Sequence, residues 1–249
     1  MNGLPRGYCE DVEPRFVRYP YKSDAKCKVI NILGNNSELI NPSEYRVLAG
    51  AISLADQSGD RIRSIANFTI HPDYTGMPAL VNNIAIVTVA APFLAGIVTP
   101  LRLPSNPDPV EFTLCTVAGW GGTNTNNQAS AQLRYFVTYV YGQKECTRVY
   151  NSIPGIKNIL PSMICAVSHT LQSSNCAGDE GNALVCNNRL TGVLSLPDGC
   201  TQSTLPEVYT RISNYTTWIR SVSGSGSVYS ANILALIGIF SFIQIYFSM

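Results

Sequence analysis

The side chains best suited to chemistry lie in the loop from Cys176 to Cys186, where Asp179 and Glu180 are adjacent and a glycine flanks them on either side. A carboxylate such as that of Glu180 can in principle attack a peptide carbonyl as a nucleophile. The product would be an anhydride, which is a far worse intermediate than the ester that a hydroxyl forms. The loop therefore contains two carboxylates and no hydroxyl, the group that acyl transfer commonly uses as its nucleophile.

Metal chemistry is a poor alternative. The eight cysteines are scattered singly from Cys9 to Cys200 without a Cys-x-x-Cys pair, and His71 and His169 are far in sequence from any group of thiols. Structural zinc sites take their ligands at close spacings, so we predict neither a metal site nor a cofactor. An even number of dispersed cysteines is typical of a secreted disulfide framework.

Short strands are predicted to position the loop. Between Tyr45 and Tyr209 the apolar residues come in brief runs separated by turn residues, a pattern that favours strands over helices. These runs include Tyr45–Leu54, Ile62–Ile70, Ile84–Val89, Val117–Trp120, Leu190–Leu196 and Glu207–Thr210. Before the C-terminal tail a single helix is predicted, Ser213–Ser221, with Ser213 as its N-cap.

Composition narrows the function classes. The net charge is +1 and only 13% of the residues are charged, so the chain lacks the basic surface that nucleic acid requires. The 15 prolines and 19 glycines agree with a β-rich protein of many turns. We expect no nucleic-acid partner.

Several blocks in one order resemble chymotrypsin/trypsin-like serine proteases. The family's nucleophile loop reads Cys-x-Gly-Asp-Ser-Gly-Gly-Pro-Leu-Val-Cys, and residues 176–186 match it with Glu180 in the position of the serine. The other blocks are His71-Pro72-Asp73-Tyr74, Asn82-Asn83-Ile84-Ala85-Ile86, Cys115 to Gly121 and Val208 to Ile219. The resemblance implies an all-β fold of two packed antiparallel six-stranded-type barrels with a C-terminal helix, the first barrel truncated at its N-terminus.

The resemblance also implies a complete disulfide pairing. It joins Cys9 with Cys27, Cys115 with Cys186, Cys146 with Cys165, and Cys176 with Cys200. All eight cysteines are used without remainder. Since eight cysteines allow 105 connectivities, the full match supports the family assignment.

All three positions of the family's catalytic triad are replaced. Lys26 stands where the family has its histidine base, Asn83 where it has the orienting aspartate, and Glu180 where it has the serine. A lysine amine with an ordinary pKa of about 10.4 is protonated near neutrality and cannot accept a hydroxyl proton. Asn83 carries no charge with which to stabilise an imidazolium.

Other family positions are carried over on the same basis. Gly178 takes the oxyanion-hole position, and Ser174, Leu196 and Pro197 take specificity-pocket positions. Ser174 at the pocket floor implies large apolar substrate side chains, whereas Pro197 lacks the N–H that the family's glycine donates to substrate. In the family, Asp179 pairs with the amino terminus made by activation cleavage, and no Ile-Val-Gly-Gly segment precedes Cys9.

The chain divides into a protease-homologue domain at 1–222, a Ser/Gly linker at 223–230 and a hydrophobic tail at 231–249. The uncharged run from Ala231 to Phe247 has three interpretations: a cleaved GPI-attachment signal, a retained membrane span, and a core helix packed on the domain. We expect one of the first two. The sequons at Asn35, Asn67 and Asn214 agree with secretion, although residues 1–7 contain no signal-peptide core.

From these replacements we predict a non-catalytic serine protease homologue. It would be extracellular or tethered to a membrane, would bind an extracellular protein partner, and would regulate a proteolytic cascade. The alternative is a serine-type endopeptidase of the same family with residual or altered activity that uses Lys26 and Glu180. Peptide hydrolysis by the purified chain discriminates between the two hypotheses.

Overall fold

A closed barrel forms the larger unit of the computed structural model. The structure describes residues 43, 45–76, 79–94, 98, 101–104, 107–121, 129–153, 158–168, 179–196 and 205–223, and the backbone of 244–247. Its six antiparallel strands are β4 Leu114–Gly119, β5 Arg134–Tyr141, β6 Met163–Ser168, β7 Ala183–Cys186, β8 Arg189–Leu196 and β9 Glu207–Arg211. They close the barrel in the order β4-β5-β6-β9-β8-β7.

A tight hairpin turn sets the register between β7 and β8. Asn187 and Asn188 both adopt positive φ angles, 52° and 56°, and Cys186 faces Arg189 across the turn. Two central residues with positive φ give a turn whose twist matches that of the flanking strands, and asparagine tolerates this conformation better than most residues. The turn directs β8 back along the barrel toward the candidate site.

An open sheet forms the smaller unit. Its strands are β1 Tyr45–Leu48, β2 Ile62–Ile70, β3 Ala85–Val89 and β10 Gln244–Phe247, in the order β10-β1-β2-β3. The buried side chains of this unit include Tyr45, Val47, Ile65, Val87 and Val89. Buried and exposed positions alternate only in part, because both β1 and β3 bury most of their residues.

Two helices complete the described elements. Helix α1, Gln143–Asn151, buries Cys146 and Tyr150 four residues apart, which places both on one face. A 3₁₀ turn at Ile212–Tyr215 leads into α2, Thr216–Val222. The predicted N-cap, Ser213, lies inside the 3₁₀ turn, where its hydroxyl donates to Asp108 Oδ2 at 2.8 Å and makes no cap.

The two units pack against each other through apolar and polar contacts. Ile84 and Ile86 at the start of β3 join a buried cluster with Leu190 of β8 and Ile219 of α2. The indole Nε1 of Trp120 donates to the Ile52 carbonyl oxygen across the junction at 3.0 Å. The start of β3 is therefore packed against the start of β8, and a second contact ties Trp120 to the smaller unit.

The predicted fold class is confirmed as a mostly-β, chymotrypsin-like architecture with a closed six-stranded barrel, a second sheet and a C-terminal helix. The expectation that Ser213–Ser221 is the sole helix before the tail is wrong, because α1 precedes it. Helix α1 has only three apolar residues, Cys146, Val149 and Tyr150, at helical spacing, and so short a pattern is a weak signal in the sequence. The predicted run Tyr45–Leu54 ends as a strand at Leu48, shortly before Gly50 with φ 69°.

Two disulfides lie in the described residues, and both fasten the barrel unit. Cys115–Cys186 joins β4 to β7, and Cys146–Cys165 joins α1 to β6. These are two of the four pairs that the resemblance implies. The other two, Cys9–Cys27 and Cys176–Cys200, lie outside the described residues.

Four residues of the C-terminal tail form a strand of the smaller sheet. Residues 244–247 form β10, which pairs with β1, so membrane tethering by the tail has no support from the described geometry. Within the described ranges, no helix is long and apolar enough to cross a bilayer. Of the three sequons, Asn67 is exposed on β2, Asn214 is exposed in the 3₁₀ turn, and Asn35 lies outside the described residues.

Candidate active site

Asn83 is fixed in the junction between the two units. It lies two residues before the start of β3 and is 3% exposed. Its side-chain Nδ2 donates to Ser195 Oγ at 2.7 Å, and its carbonyl oxygen accepts from Thr210 Oγ1 at 2.7 Å. Both partners lie on barrel strands, so a residue of the smaller unit is anchored to β8 and β9.

The other polar atom of the Asn83 side chain is unsatisfied. Asn83 Oδ1 is buried and accepts no hydrogen bond from any residue that the structure describes. A buried acceptor without a donor costs about 1–3 kcal/mol. Such an atom at a site is suited to receive a hydrogen bond from a further side chain, a water molecule or a ligand.

Glu180 lies in a turn that is hydrogen-bonded to the end of β8. It is 3% exposed and stands between Asp179 and Gly181, whose φ of 90° belongs to the left-handed region that glycine adopts without strain. The Gly181 N–H donates to the Leu194 carbonyl oxygen at 2.9 Å. This bond holds the Glu180 turn against the end of β8.

The end of β8 therefore connects the two replaced positions. Leu194 contacts the loop of Glu180 through its backbone, and the next residue, Ser195, accepts the hydrogen bond from Asn83. A second bond, from the Leu194 N–H to the Asn182 carbonyl oxygen at 2.8 Å, fixes the loop from its other end. Backbone and side-chain bonds thus organise both positions around two consecutive residues.

Asp179 shapes the loop from within. Its Oδ1 accepts from the Gly121 N–H and from Asn182 Nδ2, each at 2.9 Å. A Cβ on Gly121 would come within 2.3 Å of the carboxylate, and one on Gly119 would come within 2.3 Å of Oδ1. Both glycines are required here because the carboxylate and the backbone after β4 approach too closely for a side chain.

Several positions predicted from the sequence cannot be placed. Lys26, Ser174, Gly178 and Pro197 lie outside the described residues, as does His169. Their roles remain predictions.

Leu196 and His71 are among the described residues, and both pack against neighbouring side chains. Leu196 ends β8 and packs half-buried against the cluster that contains Cys165. His71 follows β2, and its ring lies 5.5 Å from that of Tyr215 and 4.9 Å from that of Trp218. In the described residues no group of three or more histidine, cysteine or acidic side chains could hold a metal ion.

Three partners in the site could not be identified from the sequence as neighbours of Asn83 or Asp179: Thr210, Asn182 and Gly121. Thr210 and Gly121 are far from their partners in sequence, and no local motif indicates that they meet. Asn182 lies within the nucleophile loop, where the family has glycine. That departure was the one signal that could have singled it out.

Comparison with known proteins identifies the family. The family model described as Trypsin matches residues 32–219, well over half of the chain. The chain belongs to the trypsin family. Trypsin alpha-4 of Lucilia cuprina is 33% identical over 68% of this chain, and human kallikrein-7 is 33% identical over 71%.

Further relatives agree with the trypsin-family assignment. Trypsin 5G1 of Aedes aegypti is 37% identical over 50% of this chain. The matched parts span 46%, 64% and 68% of the lengths of Trypsin 5G1, trypsin alpha-4 and kallikrein-7. Among solved structures, mouse neuropsin, described as a serine protease expressed in the limbic system of the brain, matches with a TM-score of 0.60 and 27% identity, over 74% of this chain and 87% of its own.

These relatives contradict the prediction that the chain is not an enzyme. Two carry the name trypsin, and the solved structure is described as that of a serine protease. The prediction rested on the loss of a hydroxyl nucleophile and its histidine base. Such replacements would remove the acyl-enzyme route, but they would leave hydrolysis by water with a carboxylate as the base.

Proposed function

We propose that this chain is an endopeptidase of the trypsin family with altered catalytic groups. The observation that carries the proposal is the organisation of Asn83 and the Glu180 loop around Leu194 and Ser195. The site is buried, hydrogen-bonded and held by both units, as a preorganised site requires. The family of its relatives supports peptide-bond cleavage as the reaction.

The altered residues favour direct attack by water. In this route the Glu180 carboxylate takes a proton from water while the water oxygen bonds to the peptide carbonyl carbon. The carbon–nitrogen bond then breaks, and the leaving nitrogen receives the proton from Glu180. Water is the single added reactant, Glu180 ends the cycle as a carboxylate, and no acyl-enzyme forms.

Asn83 serves this route as a neutral positioning residue. Its side-chain Nδ2 donates to Ser195 and its main-chain carbonyl oxygen accepts from Thr210, which leaves Oδ1 as the acceptor that remains. A buried acceptor of this kind can receive a hydrogen bond from the attacking water or from the substrate.

The partner expected from the sequence becomes the substrate under this proposal. We propose an extracellular protein substrate, cleaved after a large apolar side chain if Ser174 forms the pocket floor as the resemblance implies. The two disulfides of the barrel support an oxidising location.

The test is peptide hydrolysis by the purified, disulfide-intact chain against a mixed peptide library, with cleaved bonds read by mass spectrometry. Glu180→Gln keeps the size of the side chain but removes the base, and it should lower turnover by about 10²- to 10⁴-fold. The matched control is Glu145→Gln on the exposed face of α1, which should retain wild-type turnover. Because all three proteins are purified identically, a contaminating protease would cut equally in each.

Two results would overturn the proposal. One is a natural chain that cleaves nothing in the library while its thermal unfolding shows a folded protein. The other is turnover that Glu180→Gln leaves unchanged.

A further inference from the structure

The outer edge of the smaller sheet is formed by residues from the far end of the chain. Strand β10, Gln244–Phe247, runs antiparallel to β1, and its four residues pair with all four residues of β1. The register joins Tyr45 with Phe247 and Leu48 with Gln244. In the described sheet β1 is thus enclosed by β10 on one side and β2 on the other.

Strand β1 is important to the core of its unit. Tyr45, Val47 and Leu48 are 1%, 0% and 0% exposed, whereas Arg46 is exposed. Without β10, one row of β1 backbone groups would lose its partners in the described sheet. Unpaired edge groups next to a buried core invite pairing with another extended chain.

The sequence of β10 suits this position. Gln244-Ile245-Tyr246-Phe247 has one β-branched and two aromatic residues, the types enriched in strands. A membrane-spanning helix would need about 20 consecutive apolar residues, but a strand that covers β1 needs only four. The four residues that pair with β1 are thus long enough for a strand and too few to span a membrane as a helix.

We propose that the β1 edge is a strand-binding site whose occupant is this chain's own segment Gln244–Phe247. The segment is retained in the folded protein and closes the smaller sheet by main-chain pairing, as a peptide does when it adds a strand to an exposed edge. Removal of the segment opens the edge. This inference is independent of the proposed peptidase activity.

A proline scan tests the pairing in the full-length chain. In an edge strand, successive N–H groups point alternately toward the neighbouring strand and away from it. Proline lacks the N–H, so only one of the two variants Ile245→Pro and Tyr246→Pro should break a bond to β1. We expect that variant to lower hydrogen-exchange protection of the β1 amides at least tenfold, and the other to lower it much less.

Two controls make the scan specific. Ser248→Pro places the same residue just outside β10 and should leave the β1 amides protected. Amides of the barrel strand β6 should stay protected in every variant, which separates loss of β10 from global unfolding. If both strand prolines leave β1 as protected as in the natural chain, the proposed site is wrong.

Intact mass gives a second, independent measurement. For this measurement the protein is expressed with secretion from a eukaryotic host, and its C-terminal peptide is identified by mass spectrometry. We expect a peptide that includes Gln244–Phe247. A mature C-terminus upstream of Gln244 that carries a lipid would overturn the proposal.

Discussion

The barrel and the smaller sheet solve the same problem of covering strand edges in different ways. In the barrel each of the six strands has two neighbours, and all six come from residues 114–211. In the smaller sheet β1 obtains its second neighbour from residues 244–247. We therefore expect the barrel to be the more stable unit and the sheet to open first, since its edge depends on a distant segment.

The largest expected difference comes from the two disulfides among the described residues, both of which fasten the barrel unit. Replacing Cys115 and Cys186 together by alanine releases a constraint across 71 residues, and replacing Cys146 and Cys165 releases one across 19. Chain entropy predicts losses of about 4 and about 3 kcal/mol in the free energy of unfolding. Chemical denaturation of the two double variants checks both the size and the order.

If loss of Cys146–Cys165 cost more stability than loss of Cys115–Cys186, the constraint on the unfolded chain would not be what stabilises the barrel. Equal denaturation midpoints for both variants and the natural protein would show that the barrel does not depend on its disulfides.

A matched pair of valines compares the two cores directly. Val117 in the barrel and Val87 in the sheet are each 1% exposed. Truncation to alanine should cost on the order of 2 kcal/mol at either position. We expect Val87→Ala to reduce exchange protection about 30-fold in β1–β3 alone, whereas Val117→Ala should reduce it in the barrel.

If Val87→Ala lowered exchange protection equally in both units, the smaller sheet would not open independently of the barrel. The molecule would then unfold as one cooperative body.

The smallest expected effect concerns Tyr74, which packs half-buried against the core of the sheet. Burial raises the pKa of its hydroxyl above the ordinary value of 10.0. Because the folded pKa is higher than the unfolded one, the stabilising contribution is present below about pH 10 and is lost as the pH rises further. Tyr74→Phe should abolish an alkaline loss of about 1 kcal/mol at most, seen in stability between pH 9 and pH 11.

The matched control is Tyr135→Phe, at an exposed position on the barrel. It should retain the alkaline loss of the natural chain. If the Tyr74→Phe variant and the natural protein lost the same stability at alkaline pH, the loss would not come from Tyr74.

The sequence predicted the architecture well where motifs and strand runs are local. The match of residues 176–186 and the Val208–Ile219 block located two barrel strands and the C-terminal helix. It did not predict that β10 would pair with β1, because a long-range backbone pairing leaves no trace in the local pattern of residues. The replacements at Asn83 and Glu180 led to the wrong prediction that the chain is not an enzyme. Residue types show that a serine–histidine route is lost, but they do not show whether another route to hydrolysis exists.

The decisive measurement is turnover of one peptide substrate by the natural chain and by the triple variant Lys26→His, Asn83→Asp, Glu180→Ser. We expect both proteins to cleave the peptide and a serine-directed covalent probe to label only the triple variant. A natural chain that stays silent while the triple variant cleaves would contradict it, because the fold would then be competent and the altered groups would carry no chemistry of their own.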